Sequence, residues 1–183
     1  MIRLASASET RALLLQNAGF AFVQESVEFD EERIVASSPK NFVYQATLGK
    51  YTANIAAFGY EDMPLLVADT VVTSQNQILR KAKCVDDARN ILYTQSGNIT
   101  SIITAMVYHS KRKKIIDISQ TDYIFDAFER DAVEAYLESG EWRGKAGACM
   151  VEGFCKPYIK EVRGYESTAM GLCVEVLQNF IKD

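Results

Sequence analysis

Residues 63–79, MPLLVADTVVTSQNQIL, set an aspartate in the middle of a strand that otherwise reads as buried. Leu65, Leu66, Val67, Val71 and Val72 supply the apolar run, Asp69-Thr70 interrupts it, and a turn follows at Ser74 to Asn76. Burying a carboxylate as an ion is costly, so the fold has to bring this point of the strand to a cleft, a cation or water. Two readings follow: Asp69 caps a strand end and bonds Thr70, or it is poised in a pocket as a base or metal ligand.

The flanking segments fix the class. MIRLASAS opens as a short strand and turn, and ETRALLLQNAG continues as a helix stopped at Gly19. FAFVQESVEF alternates like a strand and ends in the acidic run Asp30-Glu31-Glu32. SPKNFVYQATLGKYTANIAAFG predicts a helix capped by Ser38, with Pro39 at its first position and an apolar stripe of Phe42, Ala46, Ala53 and Ala57. CVDDARNILYTQSG and ERDAVEAYLESGE predict two more helices. Residues 100–128 predict a meander of two or three strands around a basic turn, and GACMVEGFCKPYIKEVRG a strand pair. STAMGLCVEVLQNFIKD closes the chain as a helix. Strands alternating with helices, interrupted by a meander, predict an α/β protein with a mixed sheet.

Composition narrows function. The 183 residues are 48% hydrophobic and carry a formal net charge of −4, so a sizeable core is expected and a dedicated nucleic-acid binder is not. No apolar run approaches the length of a membrane span and no signal pattern opens the chain, so a cytoplasmic protein with no membrane partner is expected. The four cysteines form no CxxC pair and are expected as reduced, mostly buried thiols. The single histidine, His109, sits in YHSKRKKI beside Lys111 to Lys114, at what reads as an exposed hairpin tip. A His-based nucleophile device or a His/Cys zinc site is therefore not expected. Acid–base work would fall to carboxylates, lysine or tyrosine, and any metal would be a hard cation held by oxygen.

Among residues able to carry chemistry, Glu31 follows an apolar strand, Lys50 interrupts an alanine-rich helix, and Lys81 follows QIL. The segment SGEWRGKAGACMVEG is glycine-rich near Lys145 and Glu152, and glycines let backbone amides approach phosphate. Each has a plain structural reading: a solvated acidic turn, surface lysines, a tight turn.

In order along the chain, these segments resemble the Maf family of nucleoside triphosphate pyrophosphatases, of the inosine triphosphate pyrophosphatase-like superfamily. LASASETRALLL resembles the family's LASxSPRRxxLL, and VADTVV resembles GADTxV. Glu31 stands nineteen residues before Lys50, as the family's acidic residue does before its LAxxKA helix, and Lys81 stands twelve after Asp69. TQSGNITSIITAMVY, EAYLESGEWRGKAGACMVEG and TAMGL are similar to the later motifs. The resemblance implies one domain over residues 1–183. It implies a mixed, twisted β-sheet with flanking helices, elongated, with two lobes around a central nucleotide cleft. It also implies hydrolysis of a nucleoside triphosphate to the monophosphate and pyrophosphate with Mg²⁺ or Mn²⁺, and a homodimer. Carried over by position, Asp69, Lys50 and Lys81 are catalytic. Glu31 and Asp69 hold the metal, and Ser8, Arg11, Thr70 and Glu152 bind substrate.

The chain departs from the pattern. Glu9-Thr10-Arg11 replaces Pro-Arg-Arg, Gly144 replaces an aspartate, Glu152 a glutamine and Ala82 a proline. Thr10, Glu152 and STAMGL resemble the branch acting on 7-methyl-GTP more than the branch acting on dTTP and UTP. The lost arginine also fits a second reading, a catalytically degenerate member that binds nucleotide or a protein partner in cell-division arrest. Ser6-Ala7-Ser8-Glu9 reads as a capping box in which Ser6 caps the first helix, leaving free amides and a positive dipole end for an anion.

Overall fold

A computed structural model describes residues 1–181, with the side chain of Glu32 outside the description. The elements run β1 (Ile2–Leu4), α1 (Glu9–Asn17), β2 (Phe22–Gln24), α2 (Pro39–Phe58), β3 (Leu65–Ser74), β4 (Gln77–Ile78), α3 (Val85–Gln95), β5 (Ile99–His109), β6 (Lys114–Phe125), α4 (Arg130–Ser139), β7 (Ile159–Arg163), α5 (Glu166–Ala169) and α6 (Val174–Ile181). Seven strands form one open sheet in the order β2-β1-β3-β5-β6-β7, with β4 paired to β3. β1 is parallel to β2 and β3, while β3–β4 and β6–β7 are antiparallel. The mixed α/β expectation holds.

The chain divides into two compact units, one of residues 1–70, 103–120 and 165 onward, the other of residues 71–102 and 121–164. In the first, strand alternation sorts side chains onto two faces. Even-numbered Leu66 and Ala68 of β3, with Leu4 of β1 and Met106 of β5, pack with Leu14 and Leu15 of α1 and Leu177 of α6. Odd-numbered Leu65 and Val67, with Ala5 and Val107, pack on Tyr51, Leu48 and Ile55 of α2. Each fully buried leucine here contributes about 2 kcal/mol.

In the second unit, α3 and α4 are in contact, with Leu92, Val133 and Leu137 all buried, and Arg89 forks onto Glu134 at 2.9 and 2.8 Å. That pair raises the guanidinium above its ordinary range and lowers the Glu134 carboxyl. Phe128 packs edge-on against Phe125 and Phe154. Gln95 is buried and donates to the Gly147 carbonyl at 2.7 Å, holding the glycine-rich segment.

Several expectations need correction. β3 runs unbroken through Asp69-Thr70, because the backbone ladder is indifferent to which side chains it carries. The turn after it does form: Gln75 and Asn76 both take positive φ, the geometry of a two-residue hairpin. FAFVQESVEF keeps only three residues of strand. GACMVEGFCKPYIKEVRG holds one strand, not two; its first half is a series of turns and a 3-10 turn at Lys156–Tyr158. The closing helix is split into α5 and α6 at Gly171, whose φ of 108° no helix accommodates. On α2 the buried stripe is Phe42, Val43, Ala46, Thr47, Tyr51 and Asn54, so Ala57 faces solvent. Cys149 and Cys155 are joined as a disulfide, brought together where Gly153 N–H bonds the Met150 carbonyl; Cys84 is a free, exposed thiol and Cys173 a free, buried one. His109 ends β5 and is not at the hairpin tip, which is closed by the Ser110 N–H to the Lys113 carbonyl. Its ring stacks on Tyr60 with centroids 3.7 Å apart and meets the Tyr51 hydroxyl at 2.7 Å.

Among the described residues, no helix is long and apolar enough to cross a membrane.

Candidate active site

The site is built on the first unit, where β1 runs into α1. Its helix start is not the one expected: Ser8, not Ser6, is the N-cap, its Oγ accepting the Arg11 N–H at 3.4 Å. Glu9 becomes the first helical residue and faces solvent, so no capping box closes on Ser6. The Ser6 hydroxyl is thereby released for a different task.

Strand parity places the rest. Asp69 continues the odd face of β3 towards α2, and Thr70 continues the even face towards α1. On α2, Lys50 lies between Thr47 and Tyr51 on the buried stripe, so it turns inward and not to solvent. Its Nζ contacts Asp69 Oδ1 at 2.6 Å and Glu31 Oε1 at 2.5 Å. Asp69 is the most enclosed of the three, its side chain 10% exposed against 22% for Lys50 and 36% for Glu31. The segment leading to Glu31 is tied down by Asn54, one turn after Lys50, whose Oδ1 accepts the Val27 N–H at 3.0 Å while its Nδ2 donates to the Lys50 carbonyl at 2.8 Å.

Arg11 occupies the other face. Its Nε donates to the Gly171 carbonyl at 2.8 Å, Nη1 to Ser6 Oγ at 3.0 Å and Nη2 to Thr70 Oγ1 at 3.1 Å. Among the described residues no carboxylate reaches it within ion-pair distance; all three acceptors are neutral. Burial lowers the guanidinium from its ordinary value, and Asp69 and then Glu31 pull it back at longer range. An arginine remains charged under such opposing effects. Gly171 suits this position because its backbone takes a φ of 108°, which strains any residue with a side chain, and an added Cβ would also touch Arg11 Nε and Thr70 Oγ1.

Ser6, Arg11, Lys50, Asn54 and the segment Ser26 to Asp30 line a cavity of about 600 Å³. It lies beyond the carboxyl end of β1, where ligands of parallel α/β sheets bind. Of the expected residues, the structure brings together Glu31, Lys50 and Asp69 as one cluster and Arg11 and Thr70 as another, with Ser8 capping the helix between the β1 turn and Arg11. Lys81 and Glu152 belong to the second unit. Lys81 pairs with Ala146 in an isolated antiparallel bridge and lines a cavity of about 530 Å³ with Arg80 and Lys83, and Glu152 is exposed. Among the described residues no three His, Cys, Asp or Glu side chains cluster as a metal cage. Glu31 and Asp69, which meet on the Lys50 ammonium, are the oxygen donors here that could hold a hard divalent cation.

Sequence reasoning missed Ser6 as an acceptor for Arg11, Asn54 as the anchor of the Glu31 segment, and Thr104 beneath Thr70. Asn54 carried a signal, a polar residue at helical spacing from Lys50.

The family model for Maf-like protein matches residues 1–183. The chain belongs to the Maf-like family. This Maf-like chain is 55% identical, over the full length of both, to the nucleoside triphosphate pyrophosphatase of a Nitratiruptor species. It is 37% identical to the protein of that name from Helicobacter pylori, over 98% of this chain and 94% of the relative. With the Campylobacter jejuni protein of the same name it shares 34% identity over 99% and 100% of the two chains.

Proposed function

We propose that this Maf-like protein hydrolyses a nucleoside triphosphate to the monophosphate and pyrophosphate. The observation that carries the reading is the Glu31–Lys50–Asp69 cluster beside a cavity that also exposes Arg11, a cation without a carboxylate partner among the described residues. An enclosed carboxylate held by a lysine is a base that can take a proton from water, and an unneutralised arginine is an anion site. The names of the relatives supply the substrate class.

In this reading the Asp69 carboxylate accepts a proton from a water whose oxygen forms a bond to the α-phosphorus, and the bond from that phosphorus to the bridging oxygen of pyrophosphate breaks. Lys50 orients Asp69 and neutralises charge, and Arg11 holds phosphate oxygens. Glu31 and Asp69 are the residues that would hold a divalent cation, which when bound neutralises charge on the phosphates. Lys81 and Glu152 enter on family resemblance, as contacts to phosphate and base. The resemblance at Thr10 and Glu152 supports 7-methyl-GTP ahead of dTTP and UTP, since a carboxylate near the base favours a cationic purine. The family resemblance over the whole chain supports a homodimer.

Pyrophosphate release from a panel including GTP, 7-methyl-GTP, dTTP and UTP, with Mg²⁺ or Mn²⁺, tests this directly. Asp69→Asn should lower kcat by about 10²–10⁴-fold. Release from none of the panel, or full activity in Asp69→Asn, refutes it. A kcat/KM for dTTP or UTP above that for 7-methyl-GTP overturns the base preference alone.

A further inference from the structure

We infer that Thr104 is a positioning residue for phosphate binding, acting through Thr70 to fix Arg11; the inference rests on the phosphate-binding role proposed above for Arg11. Thr104 lies on β5, buried, on the same even face as Thr70. Its hydroxyl donates to the Thr168 carbonyl at 2.8 Å and stands 2.9 Å from the Thr70 hydroxyl. A carbonyl only accepts, and a hydroxyl has one proton. Thr104 therefore spends its proton on Thr168 and must accept from Thr70. Thr70 spends its own proton on Thr104 and must accept from Arg11, as its 3.1 Å contact with Nη2 requires. The chain Arg11, Thr70, Thr104, Thr168 has a single direction, starting at a cation and ending at a backbone dipole.

Two consequences follow. Thr70, expected from resemblance to touch substrate, has no hydroxyl proton left for a phosphate oxygen; its work is to hold Arg11. Arg11, with five N–H groups, uses three on Gly171, Ser6 and Thr70. One N–H on each Nη remains for an anion in the cavity that Arg11 lines. The three neutral acceptors fix the guanidinium plane without consuming its charge, which a carboxylate partner would do. Thr104 sets that plane without touching the ligand.

The test is a double-mutant cycle on the full chain, reading kcat and KM for pyrophosphate release. Thr104→Val is nearly isosteric and removes the link. It should raise KM about tenfold with kcat within about twofold, the pattern of lost uniform binding. Thr104→Ser should restore KM. Thr70→Val cuts the chain one link nearer and should match Thr104→Val, and it carries the test should Thr104→Val fail to fold. In an Arg11→Ala background either substitution should add less than about twofold. Effects that multiply with Arg11→Ala, or a Thr104→Val that lowers kcat and leaves KM alone, overturn the inference. If the wild-type chain hydrolyses no nucleoside triphosphate, the proposed reaction fails, and the same cycle is read in the calorimetric Kd for inorganic tripolyphosphate. There the same tenfold, non-additive pattern upholds the positioning role, and additivity or no binding by the wild type overturns it.

Discussion

Lys50→Met isolates the charged contact at the centre of the candidate site. One ammonium serves two carboxylates, at 2.5 Å from Glu31 and 2.6 Å from Asp69. Removing it leaves both anions facing each other, and water can reach them unequally, since the Asp69 side chain is 10% exposed and that of Glu31 36%. Deleting one partner of a fully buried pair costs about 3–5 kcal/mol, and deleting an exposed one under about 1 kcal/mol. The Asp69 half sits near the first limit and the Glu31 half near the second. Lys50 itself is partly solvated, so a loss of about 2–3 kcal/mol is expected. For a chain of this size that lowers Tm by about 4–12 °C, followed by circular dichroism on heating. The decisive arm is the double variant. Lys50→Met with Asp69→Asn removes the orphaned charge and should recover at least about half of the loss, whereas Lys50→Met with Glu31→Gln should recover less. A Lys50→Met protein melting within 2 °C of wild type, taken here as roughly the lower edge of a measurable loss, would show that the cluster is solvated. A double variant less stable than Lys50→Met would show that Asp69 contributes by packing and not by charge.

Other outcomes follow from single sites. Gly49 lies on α2 with the Phe29 ring edge where an added Cβ would stand, and Phe29 lines the cavity, so Gly49→Ala should displace the ring and raise KM for the triphosphate roughly threefold to tenfold, checked by steady-state kinetics. His109 is held below its ordinary value of 6.5 first by burial and then by Lys114, with Glu61 opposing. The unfolded chain then binds the proton first, so the contribution of this group to stability is complete above about pH 6.5 and is lost as pH falls through that value towards the folded-state pKa. Urea midpoints between pH 5 and 7.5 should slope less in His109→Gln, and the lone imidazole resonance in a proton spectrum should titrate below 6.5. Gln95→Leu removes the donor to the buried Gly147 carbonyl and the acceptor for the Thr100 hydroxyl, and should cost about 1–3 kcal/mol by urea denaturation.

The fold was legible where the sequence pattern and local chemistry agree. α2 begins where Ser38 and Pro39 demand, and the Gln75-Asn76 turn forms where strand periodicity breaks. It was illegible where long-range contacts decide. Both Ser6 and Ser8 can cap a helix, and the choice falls to Ser8 because Ser6 is claimed by Arg11 and the Ser8 N–H. The split between α5 and α6 follows from Gly171 turning its carbonyl to Arg11, 160 residues away in sequence. The disulfide lay hidden because nothing in the spacing of Cys149 and Cys155 distinguishes a turn that closes from a strand that stays extended. Resemblance could name candidate residues, but not the contacts that each makes in the fold.

What resemblance could not show is that Asp69 and Thr70, adjacent in the chain, work on opposite sides of a sheet. A strand points successive side chains to opposite faces, so one dipeptide hands a carboxylate to α2 and a hydroxyl to α1. Lys50 and Glu31 thereby gather around Asp69, while Arg11 is held by neutral groups extending down to Thr104. Keeping the two sets apart is what lets a strongly basic group stay near two acids without being neutralised by them. Had Arg11 shared the face of Asp69, the pair would have closed on itself and left no cation for a phosphate. Moving Asp69 by one position along β3 would produce that collapse, as a one-residue shift exchanges the faces. The aspartate that interrupts an apolar run is thus tolerated for two reasons: its parity delivers it to a lysine on the buried stripe of α2, and its neighbour's parity reserves the arginine.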